Sequence, residues 1–329
     1  MKKSALALAV LAALSLNASN ASAQTNVQFY GIVDAGVEYV NHAAANDGSQ
    51  VRVISGGKNT SRWGFRGSED LGNGLKAIFN LGAGVDAILQ LGDAIPASVP
   101  LIRIDDGGMA IQMAEYVTHA VLGYFRRFDR YREQAARGEW KQLPAPDKRD
   151  FSVGILGLGV LGSRIAESLA HFGFPLNGWS RSPKDLPGIS CYAGDDGLDA
   201  FLRASRVLVC ILPLTDSTRG IVNRQNLQKL QKGNDGAYLV NVARGGHVVE
   251  ADLLAAVREG QVAAATLDVF DHEPLAPDHP FWQEPRISIT PHISALSLHQ
   301  DTILQVRDKI HALEQGKSVN GVVDRSKGY

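Results

Sequence analysis

The stretch Phe151-Ser152-Val153-Gly154-Ile155-Leu156-Gly157-Leu158-Gly159-Val160-Leu161-Gly162 constrains the fold of this chain more than any other part of it. Val153 to Leu156 is a short apolar run of the kind that forms a buried parallel strand. It leads directly into Gly157-x-Gly159-x-x-Gly162 and then into a helical pattern that reaches Ala170. Strand, glycine turn and helix in that order form the dinucleotide-binding fingerprint in the context it requires. Gly157 permits the tight turn, Gly159 lets a pyrophosphate approach the backbone, and Gly162 lets the helix pack on the strand. Val160 and Leu161 open the helix, whose free N–H groups would face the phosphates.

The rest of the chain from about residue 75 onward follows the same logic. Apolar strand patterns are expected at Lys76 to Leu81, Val99 to Ile104, Leu176 to Trp179, Arg206 to Leu212, Ala237 to Val242, Ala263 to Val269 and Ile287 to Ile289. Helices are expected at Leu198 to Ala204, Arg224 to Leu230, Glu250 to Glu259 and, closing the chain, His299 to Glu314. Met109 to Arg137 reads as one long helix, with Met113, Val117, Val121, Phe125 and Phe128 recurring at three and four residues; core or subunit packing is its expected role. Gly138 to Arg149, with Pro144 and Pro146, reads as a linker. Strands and helices alternating at these lengths predict an α/β, doubly wound, Rossmann-type parallel sheet.

The chain has 329 residues, 45% of them hydrophobic, so two domains with a sizeable core are expected. A formal net charge of -1 without a long basic run excludes a nucleic-acid footprint. Cys191 and Cys210 stand in apolar surroundings and form no ligand-like pair, so both are expected as buried thiols of a reducing compartment, with neither a disulfide nor a metal site.

The beginning of the chain is of another kind. Met1 to Ala23 has basic Lys2 and Lys3, an apolar stretch from Ala5 to Leu16 and a small-residue Ala21-Ser22-Ala23 end, the pattern of a signal peptide. Its apolar run is too short to span a bilayer. From Val27 to Tyr39 apolar residues alternate with others as in a strand with one lipid-facing side. Val27-Gln28-Phe29-Tyr30-Gly31-Ile32-Val33-Asp34-Ala35-Gly36 and Ser61-Arg62-Trp63-Gly64-Phe65-Arg66-Gly67-Ser68-Glu69-Asp70-Leu71-Gly72 resemble the start of a Gram-negative general porin, over about the first 79 residues. Closing a barrel in lipid takes at least about eight strands. The sequence here holds material for two or three, so no stable membrane barrel is expected.

Three polar residues are expected in loops at the carboxyl ends of strands, where ligands of open α/β sheets bind. They are Arg244 in Asn241-Val242-Ala243-Arg244-Gly245-Gly246, Glu273 in Asp271-His272-Glu273-Pro274-Leu275, and His292 in Thr290-Pro291-His292-Ile293-Ser294-Ala295. Together with the glycine loop they resemble the D-isomer-specific 2-hydroxyacid dehydrogenases. Leu81-Gly82-Ala83-Gly84-Val85-Asp86, the stretch from Gly108-Met109 to Tyr116, Trp179-Ser180-Arg181-Ser182 and Phe281-Trp282 narrow this to the glyoxylate/hydroxypyruvate reductase A branch, over about residues 75–329. The resemblance implies that Arg244 binds the substrate carboxylate and polarises the ketone, that His292 protonates the forming alkoxide, and that Glu273 orients His292 and keeps it protonated. It further implies a carboxylate clamp from the Ala83 and Gly84 backbone, a nicotinamide contact at Asp268, a cofactor groove lined by Leu212, Pro213 and Thr218, and a homodimer.

The choice of nicotinamide cofactor is legible from the residues. A site selective for NAD carries Asp or Glu about 20 residues beyond the fingerprint, to bind the ribose 2'-hydroxyl. Ser180-Arg181-Ser182 stands there instead. A cation in place of a carboxylate predicts NADP(H), with NAD(H) the alternative.

The expected organisation is therefore a signal peptide at 1–23, a porin-like β segment at 24–74, a partial, flavodoxin-like substrate domain at 75–106 plus 294–329, and a dinucleotide-binding domain at 107–293. Porin-like residues fill the place where the reductases carry the first strand and helix units of the substrate domain. The two resemblances meet in Gly74-Leu75-Lys76-Ala77-Ile78-Phe79-Asn80-Leu81, the pattern of a recombined or fused gene. The reductase resemblance implies a cytoplasmic enzyme, whereas the signal peptide implies export. The functional expectation is NADPH-dependent reduction of a small 2-oxo acid. The rival is a nucleotide-binding remnant whose substrate domain is incomplete, and a porin fragment stands third.

Overall fold

A computed structural model describes residues 26–32, 35–40, 50–55, 62–72, 75–80 and 100–326, less 234 and 297. The export segment expected at 1–23 and the turn carrying Ala83 and Gly84 lie outside the described residues.

The early part is antiparallel β. Strands β1 (Asn26–Ile32), β4 (Arg62–Gly72) and β5 (Leu75–Asn80) form a three-stranded sheet in the order β1-β4-β5, and β2 (Ala35–Val40) pairs with β3 (Gln50–Ser55). Three expectations are corrected here. The described residues of the segment form five strands rather than two or three, and the single strand expected over 27–39 is two. The apolar stretch at Leu75–Asn80 pairs antiparallel with β4, Gly67 opposite Phe79 and Glu69 opposite Ala77, so it completes a hairpin and opens no parallel α/β unit. Strands only two residues apart in sequence pair with each other more readily than with a distant parallel partner.

The parallel sheet has seven strands: β6 (Val153–Leu156), β7 (Leu176–Ser180), β8 (Ile189–Ala193), β9 (Val207–Cys210), β10 (Ala237–Asn241), β11 (Val262–Leu267) and β12 (Ile287–Ile289). Their order is β12-β11-β10-β9-β6-β7-β8, and every pairing is parallel. The order reverses between β6 and β9, which creates the crevice at which such sheets bind ligands. β8 escapes the sequence reading because Ile189-Ser190-Cys191-Tyr192-Ala193 is an edge strand with no apolar run. Cys191 on it is only partly buried, against expectation, whereas Cys210 is wholly buried and its thiol is pushed up to about 12 by burial.

The helices are α1 (Met109–Phe125), α2 (Phe128–Ala136), α3 (Val160–Ala170), α4 (Gly194–Ala204), α5 (Arg224–Leu227), α6 (Glu250–Arg258) and α7 (His299–Glu314), and both faces of the sheet are covered. On one face Met113, Val117 and Val121 of α1 and Ile165 and Leu169 of α3 pack with Val153, Ile155 and Val209 of the sheet. On the other, Phe201, Leu253 and Phe281 pack with Leu208, Leu239 and Leu267. Each such side chain contributes about 1.5–3 kcal/mol by leaving water. Asp106 starts α1 by accepting from Met109 N at 2.8 Å and Ala110 N at 3.0 Å.

The long helix expected from Met109 to Arg137 is two helices. The apolar stripe that holds α1 ends at Phe125, Arg127 takes a left-handed conformation with φ 57°, and Phe128 is 50% exposed. The helix expected at Arg224 to Leu230 is a single turn, α5, capped by Asn223, whose side chain accepts from Asn226 N at 3.0 Å. Among the described residues the strand expected at Val99 to Ile104 is one antiparallel bridge, Ile102 opposite Val322.

Candidate active site

Each strand of the sheet from β6 to β12, except the edge strand β8, delivers a candidate residue at its carboxyl end. After β6, Gly157 has φ 120°, a value that L side chains rarely adopt. A Cβ on Gly162 would lie 1.8 Å from the Gly157 carbonyl oxygen, so only glycine lets α3 approach β6 this closely. A Cβ on Gly159, by contrast, would meet no atom within 4 Å. The first and third glycines are required by the fold; the second opens onto free space beside the exposed Val160 and the partly exposed Leu161 at the start of α3.

After β7, Ser180 is buried and donates to Ser182 O at 2.8 Å, which curls the loop and leaves Arg181 and Ser182 exposed. Arg181 Nη2 donates to Ser217 Oγ at 3.3 Å across the crevice. After β9, Leu212 is buried, and Thr218 Oγ1 donates to Pro213 O at 2.7 Å and accepts from Thr215 N at 2.8 Å. The Thr218 hydroxyl is thus committed to shaping the loop.

After β10 the wholly buried Asn241 holds the next turn: its Nδ2 donates to Arg244 O at 3.0 Å, and its Oδ1 accepts from Ala243 N at 3.2 Å. The Arg244 guanidinium donates to Ala243 O at 2.8 Å. His247, fully buried, stands with Nδ1 3.0 Å from Arg244 O and Nε2 3.3 Å from Pro213 O, tying the arginine turn to the β9 loop. Burial lowers its pKa, so the ring stays neutral and donates to one of the two carbonyls.

After β11 and β12 come Asp268, Glu273 and His292. Asp268 is 0% exposed; Oδ1 accepts from Thr290 Oγ1 at 2.6 Å and Ile293 N at 2.8 Å, and Oδ2 from Ser294 N at 2.8 Å. Glu273 Oε1 accepts from Phe270 N at 3.0 Å, and Oε2 lies 2.8 Å from His292 Nδ1. The hydrogen bond that His292 donates to Glu273 raises the His292 pKa above its ordinary value, against burial and the Arg244 charge. Burial acts to raise the Glu273 pKa, but the bonds from His292 and Phe270 N and the charges of His292 and Arg244 together hold it below the ordinary carboxylate value. Glu273 therefore stays ionised and accepts a hydrogen bond from Nδ1–H, which leaves Nε2 as the nitrogen able to give a proton away.

The sequence reading places Arg244, Glu273 and His292 at one end of one sheet, and the structure brings them within electrostatic reach of one another. The reading missed His247 and the polar edge of α1, Gln112 and Tyr116. Gln112 Nε2 donates to Leu296 O at 2.8 Å, and Tyr116 OH lies 2.6 Å from Thr290 Oγ1. The only sequence signal for that pair is two polar residues spaced by four at the margin of the apolar stripe. Among the described residues no group of three His, Cys, Asp or Glu could hold a metal ion, and no helix is long and apolar enough to cross a membrane.

A parallel sheet of order β8-β7-β6-β9-β10-β11-β12, a glycine turn at its switch point and a histidine–carboxylate pair beside an arginine define a dinucleotide-binding enzyme domain of the dehydrogenase class. Residues 118–294 match the family described as D-isomer specific 2-hydroxyacid dehydrogenase, NAD binding domain. The chain belongs to that family. Among solved structures, the NADPH-dependent glyoxylate/hydroxypyruvate reductase of Sinorhizobium meliloti in complex with NADP and sulfate is 40% identical, with TM-score 0.72, over 75% of this chain and 78% of the other. A D-isomer specific 2-hydroxyacid dehydrogenase from Xanthobacter autotrophicus in complex with NADPH and MES is also 40% identical, with TM-score 0.71, over 75% of this chain and 100% of the other. A probable 2-hydroxyacid dehydrogenase from Rhizobium etli, in complex with NADP, HEPES and L(+)-tartaric acid, is 35% identical with TM-score 0.71 over 75% of this chain and 78% of the other. Residues 7–123 match the Gram-negative porin family. That match runs well beyond residue 79 and into α1, where the backbone is already helical.

Proposed function

We propose that the chain reduces a small 2-oxo acid of the glyoxylate/hydroxypyruvate type to its 2-hydroxy acid with NADPH. The observation that carries this reading is the 2.8 Å contact of His292 Nδ1 with Glu273, set beside Arg244 at the crevice of the parallel sheet. The residues present fit the cofactor: Gly159 leaves open space at the start of α3, and Arg181 is exposed on the loop that would face a 2'-phosphate. The reductase and the two dehydrogenases of similar structure were solved with NADP or NADPH, which supports the same choice here.

Held at the Gly157–Gly162 turn and Arg181, the cofactor would be the source of the hydride that the substrate carbonyl carbon takes up. Arg244 binds the substrate carboxylate and draws electron density toward the ketone oxygen through its planar, paired donors. His292 gives the Nε2 proton to that oxygen as it gains charge, so the 2-oxo acid takes up one hydride and one proton and leaves as an alcohol. Glu273 remains ionised and holds the ring in the orientation that presents Nε2. Solvent then reprotonates His292. Asp268 follows β11, and its backbone and the loop it holds would face the nicotinamide carboxamide. Leu212, Pro213 and Thr218 shape the wall that would face the adenosine half. Ala83 and Gly84 would complete the carboxylate clamp.

A second reading has its own support. The residues ahead of that clamp, Arg62–Gly72 and Leu75–Asn80, form an antiparallel hairpin in place of strand and helix units. On this reading the chain binds NADPH through residues 107–293 and lacks a complete substrate domain. Titrating the full-length protein with NADPH by fluorescence, then following NADPH oxidation with glyoxylate and hydroxypyruvate, separates the two. Cofactor binding with substrate-dependent oxidation supports the reductase; binding without oxidation leaves the remnant. The buried thiol of Cys210 suits a reducing compartment and the family's chemistry needs NADPH, so we place the working enzyme in the cytoplasm, to be checked by fractionation.

A further inference from the structure

His292 occupies a backbone position that a side-chain-bearing residue takes up only under constraint, with φ 55°. The constraint comes from two sides. Its own N–H donates to Asp268 O at 2.9 Å, and the Asp268 carboxylate takes the next two N–H groups, of Ile293 and Ser294, at 2.8 Å each. Thr290 donates its hydroxyl proton to Asp268 at 2.6 Å, so the 2.6 Å contact of Tyr116 OH with Thr290 Oγ1 runs from tyrosine to threonine. Further along, the Gln112 amide grips Leu296 twice, donating to its carbonyl at 2.8 Å and accepting its N–H at 3.2 Å. Gln112 and Tyr116 are four residues apart, stacked on one face of α1. They thus meet the loop on the two sides of His292.

We propose that Tyr116 and Gln112 are positioning residues: through the Thr290–Asp268 pair and through Leu296 they hold the His292 imidazole at hydrogen-bonding distance from Glu273. The inference rests on the reading of His292 as proton donor. It extends that reading to the helix packed under the cofactor-binding helix, which the reaction itself does not touch. The charged groups that act on the His292 ring are Glu273, Arg244 and Asp268. Release of the loop leaves these charges in place and lengthens the bond to Glu273, so the ring loses its main source of added basicity.

The test uses the full chain. The His292 imidazole is titrated by NMR, its signal identified by its absence in His292→Gln, in the parent, Tyr116→Phe, Thr290→Val and Thr290→Ser. The expected result is a midpoint that falls toward the ordinary value of about 6.5 in Tyr116→Phe and Thr290→Val. Thr290→Ser, which keeps the hydroxyl, should restore the parent midpoint. In turnover, the same two variants should lose roughly tenfold or more in kcat with KM for NADPH unchanged. An unchanged His292 midpoint in both Tyr116→Phe and Thr290→Val overturns the proposal, even if either variant is less stable to heat. If the parent shows no 2-oxo acid reduction, the reductase reading fails by itself, and the titration still decides whether α1 sets the state of His292.

Discussion

At the scale of single residues the site makes two sharp demands. Removing a positioned general acid costs about 10² to 10⁴ in rate. His292→Ala and Arg244→Ala should each lose most NADPH-dependent reduction while retaining NADPH affinity, and turnover by either variant at the parent rate would remove that residue from the mechanism. The His292 pKa is raised by its bond to Glu273, so reductive kcat should fall as pH rises through a value above that of an ordinary histidine. In Glu273→Gln the fall should begin at lower pH, as read from a pH–rate profile. The stability linkage has the matching signs. The part due to His292 is complete below its unfolded value of about 6.5 and is lost as pH rises through the folded one. The part due to Glu273 is present above about 4.3 and is lost as pH falls through its depressed folded value. His292 is 45% and Glu273 33% exposed, so solvent screening keeps both contributions small. Arg181→Asp should reverse or flatten a preference for NADPH over NADH in KM ratio, since it replaces the cation with the carboxylate that a ribose hydroxyl favours.

At the scale of elements, the glycine turn separates into parts with different consequences. Gly162→Ala places a methyl group 1.8 Å from a carbonyl oxygen and forces α3 off β6, which should cost about 1–3 kcal/mol and lower the melting temperature. Gly159→Ala meets nothing in the protein, so thermal stability should be unchanged while NADPH binding weakens; calorimetry on both variants, with and without NADPH, checks the contrast. Most of the parallel elements are legible in the sequence because buried strands are written as apolar runs between breakers. The misses share a cause. Helix α1 stops where its apolar face stops, at Phe125, although the helical spacing of large residues continues to Phe128; only burial tells the two apart. β8 is strand by virtue of its neighbour β7, and its own residues do not declare it.

At the scale of the whole molecule, the chain joins an antiparallel β segment to a seven-stranded parallel domain. The second carries its own two-faced core. Phe201 is wholly buried in it, and Phe201→Ala should destabilise the domain by about 3–5 kcal/mol, as measured by denaturant unfolding. The sequence by itself determined the class of fold, the nucleotide loop and the three polar residues at the crevice. Each of these follows from local rules, which are the apolar run, the glycine spacing and the loop after a strand. Only the tertiary structure decided that Leu75–Asn80 completes a hairpin with Arg62–Gly72, and that a buried aspartate and the helix Met109–Phe125, well ahead of the fingerprint's first glycine, hold His292 in place. Strand partners and long-range hydrogen bonds depend on which segments meet in space, and a sequence pattern with a period of two or 3.6 residues carries no record of that.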